Sequence, residues 1–289
     1  MKTIRLIYPQ WQGGISPEDR LSVNVVPEDD MKAGYMVGAR ILDLVAPPTK
    51  NETWTVPVST GLEDTGAVNG IRNRGIVLSQ LRAALGLLDI AGPDRIATLG
   101  GECSVSLAPF SWLASRYSGD TAMIWLDRHA DALLPLELFD VLHTMTLAHL
   151  VGRGDPEILS LLPQKIDPRK TLHIGLRPLE PEETREKLRG WGCSVLSRKE
   201  VLDDPARLTA WLEGCGASRA LVHLDLGVLD PSEFFPELGR STGGMRIPEV
   251  IDVIERISST LDLVGISISD PVPHMAAQLR RLLRNLPLF

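Results

Sequence analysis

Apolar residues in this chain fall into two kinds of pattern. Short continuous runs occupy residues 4–8, 54–58, 95–99, 121–126, 171–175, 193–196, 220–226 and 261–267. They have the length of buried strands. Between them the apolar positions recur at helical spacing, over residues 34–45, 68–91, 104–116, 145–151, 156–162, 181–189, 204–215, 247–259 and 272–285. Ser104 stands where the third of these helices would take its cap. Strands alternating with helices predict a mostly parallel sheet covered on both faces, because a parallel crossover needs a helix and each strand is apolar on both sides. No linker, repeat or low-complexity tract divides the chain, so residues 1–289 read as one domain.

In open α/β sheets ligands collect beyond the carboxyl ends of the strands. Three such ends carry reactive residues: Gly100-Gly101-Glu102-Cys103, Asp127-Arg128-His129-Ala130-Asp131, and the stretch from Asp225 to Asp230-Pro231. In the second, Asp127, His129 and Asp131 alternate and share one side of an extended segment. Two carboxylates and an imidazole converging at a buried strand end suit a divalent metal, whereas the bland reading is a solvated charge cluster.

Composition narrows the function class. The net charge is −7 and no long basic block occurs, which argues against nucleic acid as a partner. Cys103, Cys193 and Cys215 are scattered and odd in number, as expected in a reducing compartment. The first residues lack a signal-peptide core, since Pro9 and Gln10 interrupt them, and no apolar run has membrane-spanning length. The chain reads as cytoplasmic, with a small-molecule substrate and no membrane partner.

Taken together, these segments resemble the ureohydrolase family of arginases and agmatinases, whose pattern is GGDH, then D-x-H-x-D, then S-F-D-x-D-x-x-D-P, then a late Glu before a Pro. The stretch from Val141 through His143 to Gly154 is similar to the family's segment around its active-site histidine, and His173 to Arg177 to its following strand. The resemblance implies a three-layer α/β/α fold with an eight-stranded sheet, a homo-oligomer, and in complete members a two-manganese site. Several positions depart from the pattern. Cys103 stands where a metal-binding His is usual, and Gly227 where the second Asp of D-x-D belongs. Ile268 aligns with the Glu that pairs with guanidinium, and neither Ser267 nor Ser269 beside it is acidic. Leu133 and Phe139 fall where arginases hold the amino-acid end of arginine, which argues against free L-arginine as substrate.

The surviving residues give a single-ion reading, with zinc or manganese held among Asp127, His129, Asp131, Asp225 and Cys103. His143 is the proton carrier and Glu180 and Glu183 are substrate contacts in this reading. The bland alternatives are packing for Cys103, a surface histidine for His143, and a favourable helix start for Glu180 and Glu183. Asp230-Pro231 reads as a turn device. Two functions follow. One is a metal-dependent hydrolase of a non-peptide C–N bond in an amidine, guanidine or amide. The other is a catalytically inactive protein that keeps the fold for a structural or regulatory role.

Overall fold

A computed structural model describes residues 1–14, 32–63, 66–178, 180–234, 243–271 and 275–289. Eight strands form one sheet: β1 (Thr3–Tyr8), β2 (Glu52–Thr55), β5 (Arg95–Gly100), β6 (Thr121–Leu126), β7 (Thr171–Ile174), β8 (Ser194–Leu196), β9 (Arg219–Asp225) and β10 (Asp262–Ser269). Their spatial order is β2-β1-β5-β10-β9-β6-β7-β8, and every pairing in it is parallel. A separate antiparallel pair, β3 (Ala67–Val68) and β4 (Ile71–Arg72), occupies the start of the expected helix 68–91.

The period-two alternation of strand side chains builds the two cores. Along β6, Met123 and Trp125 join one buried cluster, whereas Ala122, Ile124 and Leu126 join the other. The first cluster takes the apolar stripes of α2 (Arg74–Ala91) and α3 (Leu107–Arg116). The second takes those of α1 (Gly38–Val45), α8 (Pro205–Gly214), α9 (Ile247–Thr260) and α10 (Ala276–Leu283). The result is the three-layer α/β/α arrangement expected from the sequence. The remaining helices are α4 (Thr146–Leu150), α5 (Pro156–Leu161), α6 (Glu182–Trp191) and α7 (Arg198–Asp203). Residues 272–274 of the expected last helix lie outside the described residues.

Two local details differ from expectation. Ser104 is not a helix cap: Glu102 caps a 3₁₀ turn at Cys103–Ser106, its carboxylate accepting from the Ser104 amide at 2.8 Å, and α3 begins only at Leu107. The carboxylate takes the role because it also accepts from Gln10 Nε2 at 2.8 Å and Ser104 Oγ at 2.6 Å inside the protein. Helix α7 was not expected, although Ser197 and Glu200 form a full capping box at its start. The segment beyond α4 is anchored by Asp155, which accepts from the Glu157 and Ile158 amides and pairs with the Arg74 guanidinium at 2.8 Å.

Candidate metal centre and active site

Strand order creates the site. After β5 the chain crosses to β6, leaving room between them that β10 and β9 fill later. The carboxyl ends of these four neighbouring strands therefore open into one crevice, as expected where strand order reverses. Cys103 follows β5, Asp127 follows β6, Asp225 ends β9 and Asp270 follows β10. A Cβ on Gly101 would run into the Gln10 carbonyl, so the turn that delivers Cys103 needs a glycine there.

The cluster is compact and buried. Cys103 Sγ lies 3.2 Å from Asp225 Oδ2, 3.9 Å from Asp127 Oδ2 and 3.4 Å from Ser269 Oγ. Asp127 is fixed by the His129 amide, which donates to Oδ1 at 2.9 Å, and Asp225 by the Gly227 amide at 2.6 Å. In each case the second oxygen is left for the crevice. Asp131 is 3 % exposed and neither of its carboxylate oxygens has a hydrogen-bond partner. Its backbone is left-handed (φ +48°), as is that of Asp270 (φ +57°). Asp tolerates this conformation better than most residues, yet it costs energy and concentrates at functional sites.

Electrostatics make the same point. Burial, followed by the Asp225 charge, pushes the Asp127 and Asp270 carboxyls well above the usual carboxylate range. Burial and the charges of Asp127 and Asp225 do the same to Asp131, and burial with Asp131 nearby raises the Cys103 thiol. Unpartnered buried carboxylates are costly, and a bound cation is what would relieve that cost. The donor set of carboxylates and a thiol fits a divalent ion. Among the described residues, Cys103, Asp127, Asp131 and His223 bring ligand atoms within 4.8 Å of one another, as do Cys103, His143 and Asp270.

Sequence reasoning missed two members of this site. His223 sits two residues before Asp225 on β9, fully buried and stacked on Trp125 with ring centroids 3.6 Å apart. Its Nδ1 meets Ser106 Oγ at 2.9 Å and its Nε2 meets Ser269 Oγ at 3.4 Å. With both nitrogens engaged, His223 orients Ser269 beneath the cluster. Asp270 is the second. No acidic residue is expected from the sequence at this strand end: Ile268 packs in the core, but two positions later Asp270 Oδ1 lies 3.9 Å from His143 Nδ1.

His143 is buried, and its Nδ1 accepts from the Cys103 amide at 3.3 Å. Burial holds its pKa at about 4, so at neutral pH the ring is neutral with its proton on Nε2. His129 departs from its expected place. It joins neither ligand set and instead lines a cleft of about 440 Å³ with Asp131, His143, Leu133, Leu138, Phe139 and Glu180. The reason is that its amide, rather than its imidazole, serves Asp127, while its carbonyl accepts from His173 Nε2 at 2.6 Å. Glu180 lies in the cleft wall, but Glu183 is exposed on the first turn of α6 and outside the lining; Thr184 and Lys187 of that helix line it instead. Asp230 accepts from the Ser232 amide at 2.9 Å, a turn device as expected.

The sequence model described as "Arginase family" matches residues 47–280. The chain belongs to the Arginase family. Arginase from Eremothecium gossypii is 30% identical over 191 residues, which cover 62% of this chain and 47% of that protein. Arginase from Saccharomyces cerevisiae is 25% identical, over 62% of this chain and 57% of that one. The chain thus matches only about half the length of these relatives. Among solved structures, the arginase of Entamoeba histolytica in complex with L-ornithine superposes with a TM-score of 0.80 at 16% identity, over 99% of this chain and 98% of the other. Formimidoylglutamase from Bacillus subtilis gives 0.68 at 14% identity, over 99% and 87%. These likenesses establish the fold. No helix among the described residues is long and apolar enough to cross a membrane.

Proposed function

We propose that this Arginase-family chain is a metal-dependent hydrolase of a C–N bond in an amidine or guanidine carried on an apolar group. The observation that carries the reading is Asp131, a buried carboxylate with two unpartnered oxygens, clustered with Cys103, Asp127 and His223 and close to the charge of Asp225. Cys103, Asp127, Asp131 and Asp225 would hold one divalent ion. The thiol among them favours zinc over manganese, and binding would release its proton. Such an ion supplies the positive field that lowers the pKa of a water it holds.

The remaining roles fall to the chain's own groups. Asp270 pairs with the cationic amidine and, 3.9 Å from His143, holds it beside that ring. His143 would take up the proton given up by the attacking water and return it to the departing amine, ending neutral as it began. Leu133, Leu138 and Phe139 give the cleft an apolar wall, and Lys187, which also lines it, is paired with Glu137 at 2.6 Å. That lining suits an alkyl or aryl substituent better than an α-amino acid, so free L-arginine stays disfavoured even with Asp270 in the role of acidic partner.

A second reading, an inactive member with a structural or regulatory role, draws on Gly227, where the family pattern has an Asp, and on the positive charge of Arg128 against it. An ammonia- and urea-release assay separates the two. Alkylguanidines, alkylamidines and L-arginine are offered to protein loaded with zinc or manganese. Turnover of an apolar amidine or guanidine faster than L-arginine is the expected result. No turnover of any of them by ion-loaded protein favours the inactive reading, and L-arginine as the best substrate overturns the specificity argument.

A further inference from the structure

Four carboxyl groups, Asp127, Asp131, Asp225 and Asp270, gather around Cys103 and His143 at one crevice, and a single divalent ion would neutralise half of their charge were all four ionised. The chain brings its own cation to the same place. Arg128 is 7 % exposed. A Cβ built on Gly227 would lie 3.1 Å from Arg128 Nε and 3.3 Å from its Cδ, and 2.6 Å from Asp225 Oδ1. The guanidinium stem therefore packs on the bare backbone of residue 227, next to a cluster carboxylate, and a side chain at 227 would crowd both the stem and Asp225. Arg177 secures that backbone: its Nη2 donates to the carbonyls of Gly227 at 3.0 Å and Leu229 at 2.9 Å. Its own amide donates to the Arg128 carbonyl at 3.2 Å.

We propose that Arg128, seated on Gly227, is a fixed counter-cation that limits the carboxylate cluster to one divalent ion. A permanent positive charge beside Asp225 opposes a second cation by direct repulsion. It also weakens the first, so the site trades affinity for a set stoichiometry. Gly227 is the complementary half of the device, because the space that a side chain would fill is what admits the guanidinium. Arg128 acts through the ion and the carboxylates and is a positioning residue. The inference rests on the one-ion reading above.

Equilibrium binding of zinc, and separately of manganese, by titration calorimetry tests it on the full chain. The proteins compared are wild type, Arg128→Lys, Arg128→Met and Arg128→Met combined with Gly227→Asp. Wild type and Arg128→Lys are expected to bind one ion with similar affinity. Arg128→Met should bind that ion about tenfold more tightly or better, since the charge and not the packing is removed. The double variant should take up a second ion. Where Arg128→Met does not fold, Arg128→Gln removes the same charge. Equal affinity of wild type and the neutral variant overturns the inference, as does a gain in affinity in Arg128→Lys as large as that in Arg128→Met. A wild type that binds no ion defeats both claims, whereas a wild type that binds one ion as tightly as the neutral variant defeats the inference and leaves the one-ion reading standing.

Discussion

Replacing Asp131 by asparagine gives a stability signature that depends on the ion. Asn keeps the shape of the side chain and removes a buried carboxyl whose ionisation burial, Asp127 and Asp225 all oppose. Without metal, holding that group in the folded state is costly at neutral pH, so the metal-free variant should melt at or above metal-free wild type. With metal the order reverses. An ion at a hundredfold excess over its dissociation constant stabilises the native state by about 2.7 kcal/mol. Unfolding entropy of about 2.1 cal/mol/K per residue gives about 0.6 kcal/mol/K for 289 residues. Wild type should therefore gain about 4–5 °C in Tm on adding zinc or manganese and lose it with a chelator. If the substitution weakens binding about a hundredfold, the same ion concentration leaves about 0.4 kcal/mol, a shift below about 1 °C. Differential scanning calorimetry of both proteins, each with chelator and with excess ion, reads all four values. A metal-free Asp131→Asn protein several degrees below metal-free wild type, yet still responding fully to the ion, would refute the reasoning and make Asp131 a structural carboxylate.

Other outcomes follow from the same geometry. His143→Ala should lower kcat by about 10²–10⁴ while leaving ion binding close to wild type, because His143 carries a proton in this account; an unchanged kcat, read by steady-state kinetics, removes it from the reaction. His143 and His173 are both held at about 4 by burial, below the ordinary histidine value. A depressed base is bound to fewer protons in the folded state, so its stability contribution is present above pH ~6.5 and lost as pH falls towards 4. Chemical denaturation across that window should give falling stability, with a shallower slope in His173→Gln; identical slopes would rule out that histidine as a source. Asp155→Ala should cost about 2–4 kcal/mol, since it removes one of the two carboxylates paired with Arg74, leaving Glu157 at 2.9 Å, and uncaps α5. A change below about 1 kcal/mol in the same experiment would mean that the pair contributes little.

The fold was legible because its strands are apolar on both faces and its helices amphipathic, a combination that leaves few arrangements open. Asp127, Asp131 and Asp225 could be picked out because carboxylates at the ends of buried strands have few bland readings, whereas Cys103 and His143 each kept one, as packing and as a surface histidine; the structure brings all five to one crevice. Asp270 was missed through a boundary error. The last strand was expected to stop at residue 267, whereas β10 runs to Ser269, which puts Asp270 directly after its strand as Asp127 is after β6. His223 carried a readable signal: it precedes Asp225 by two, and period two places both on one face of β9. His129 is placed differently from the sequence reading. Its spacing matched Asp127 and Asp131, but β6 ends at Leu126, and alternation no longer dictates direction beyond that point. Arg128 and Gly227 meet only through the fold, and no spacing along the chain foretells that contact.

Metal content of the purified protein tests the central claim most directly. Elemental analysis of wild type loaded with zinc or manganese and then desalted should find one ion per chain, and Asp127→Asn treated identically should retain far less than one. Two ions per wild-type chain would contradict the one-ion centre, and a folded wild type that holds none would contradict the metal site altogether.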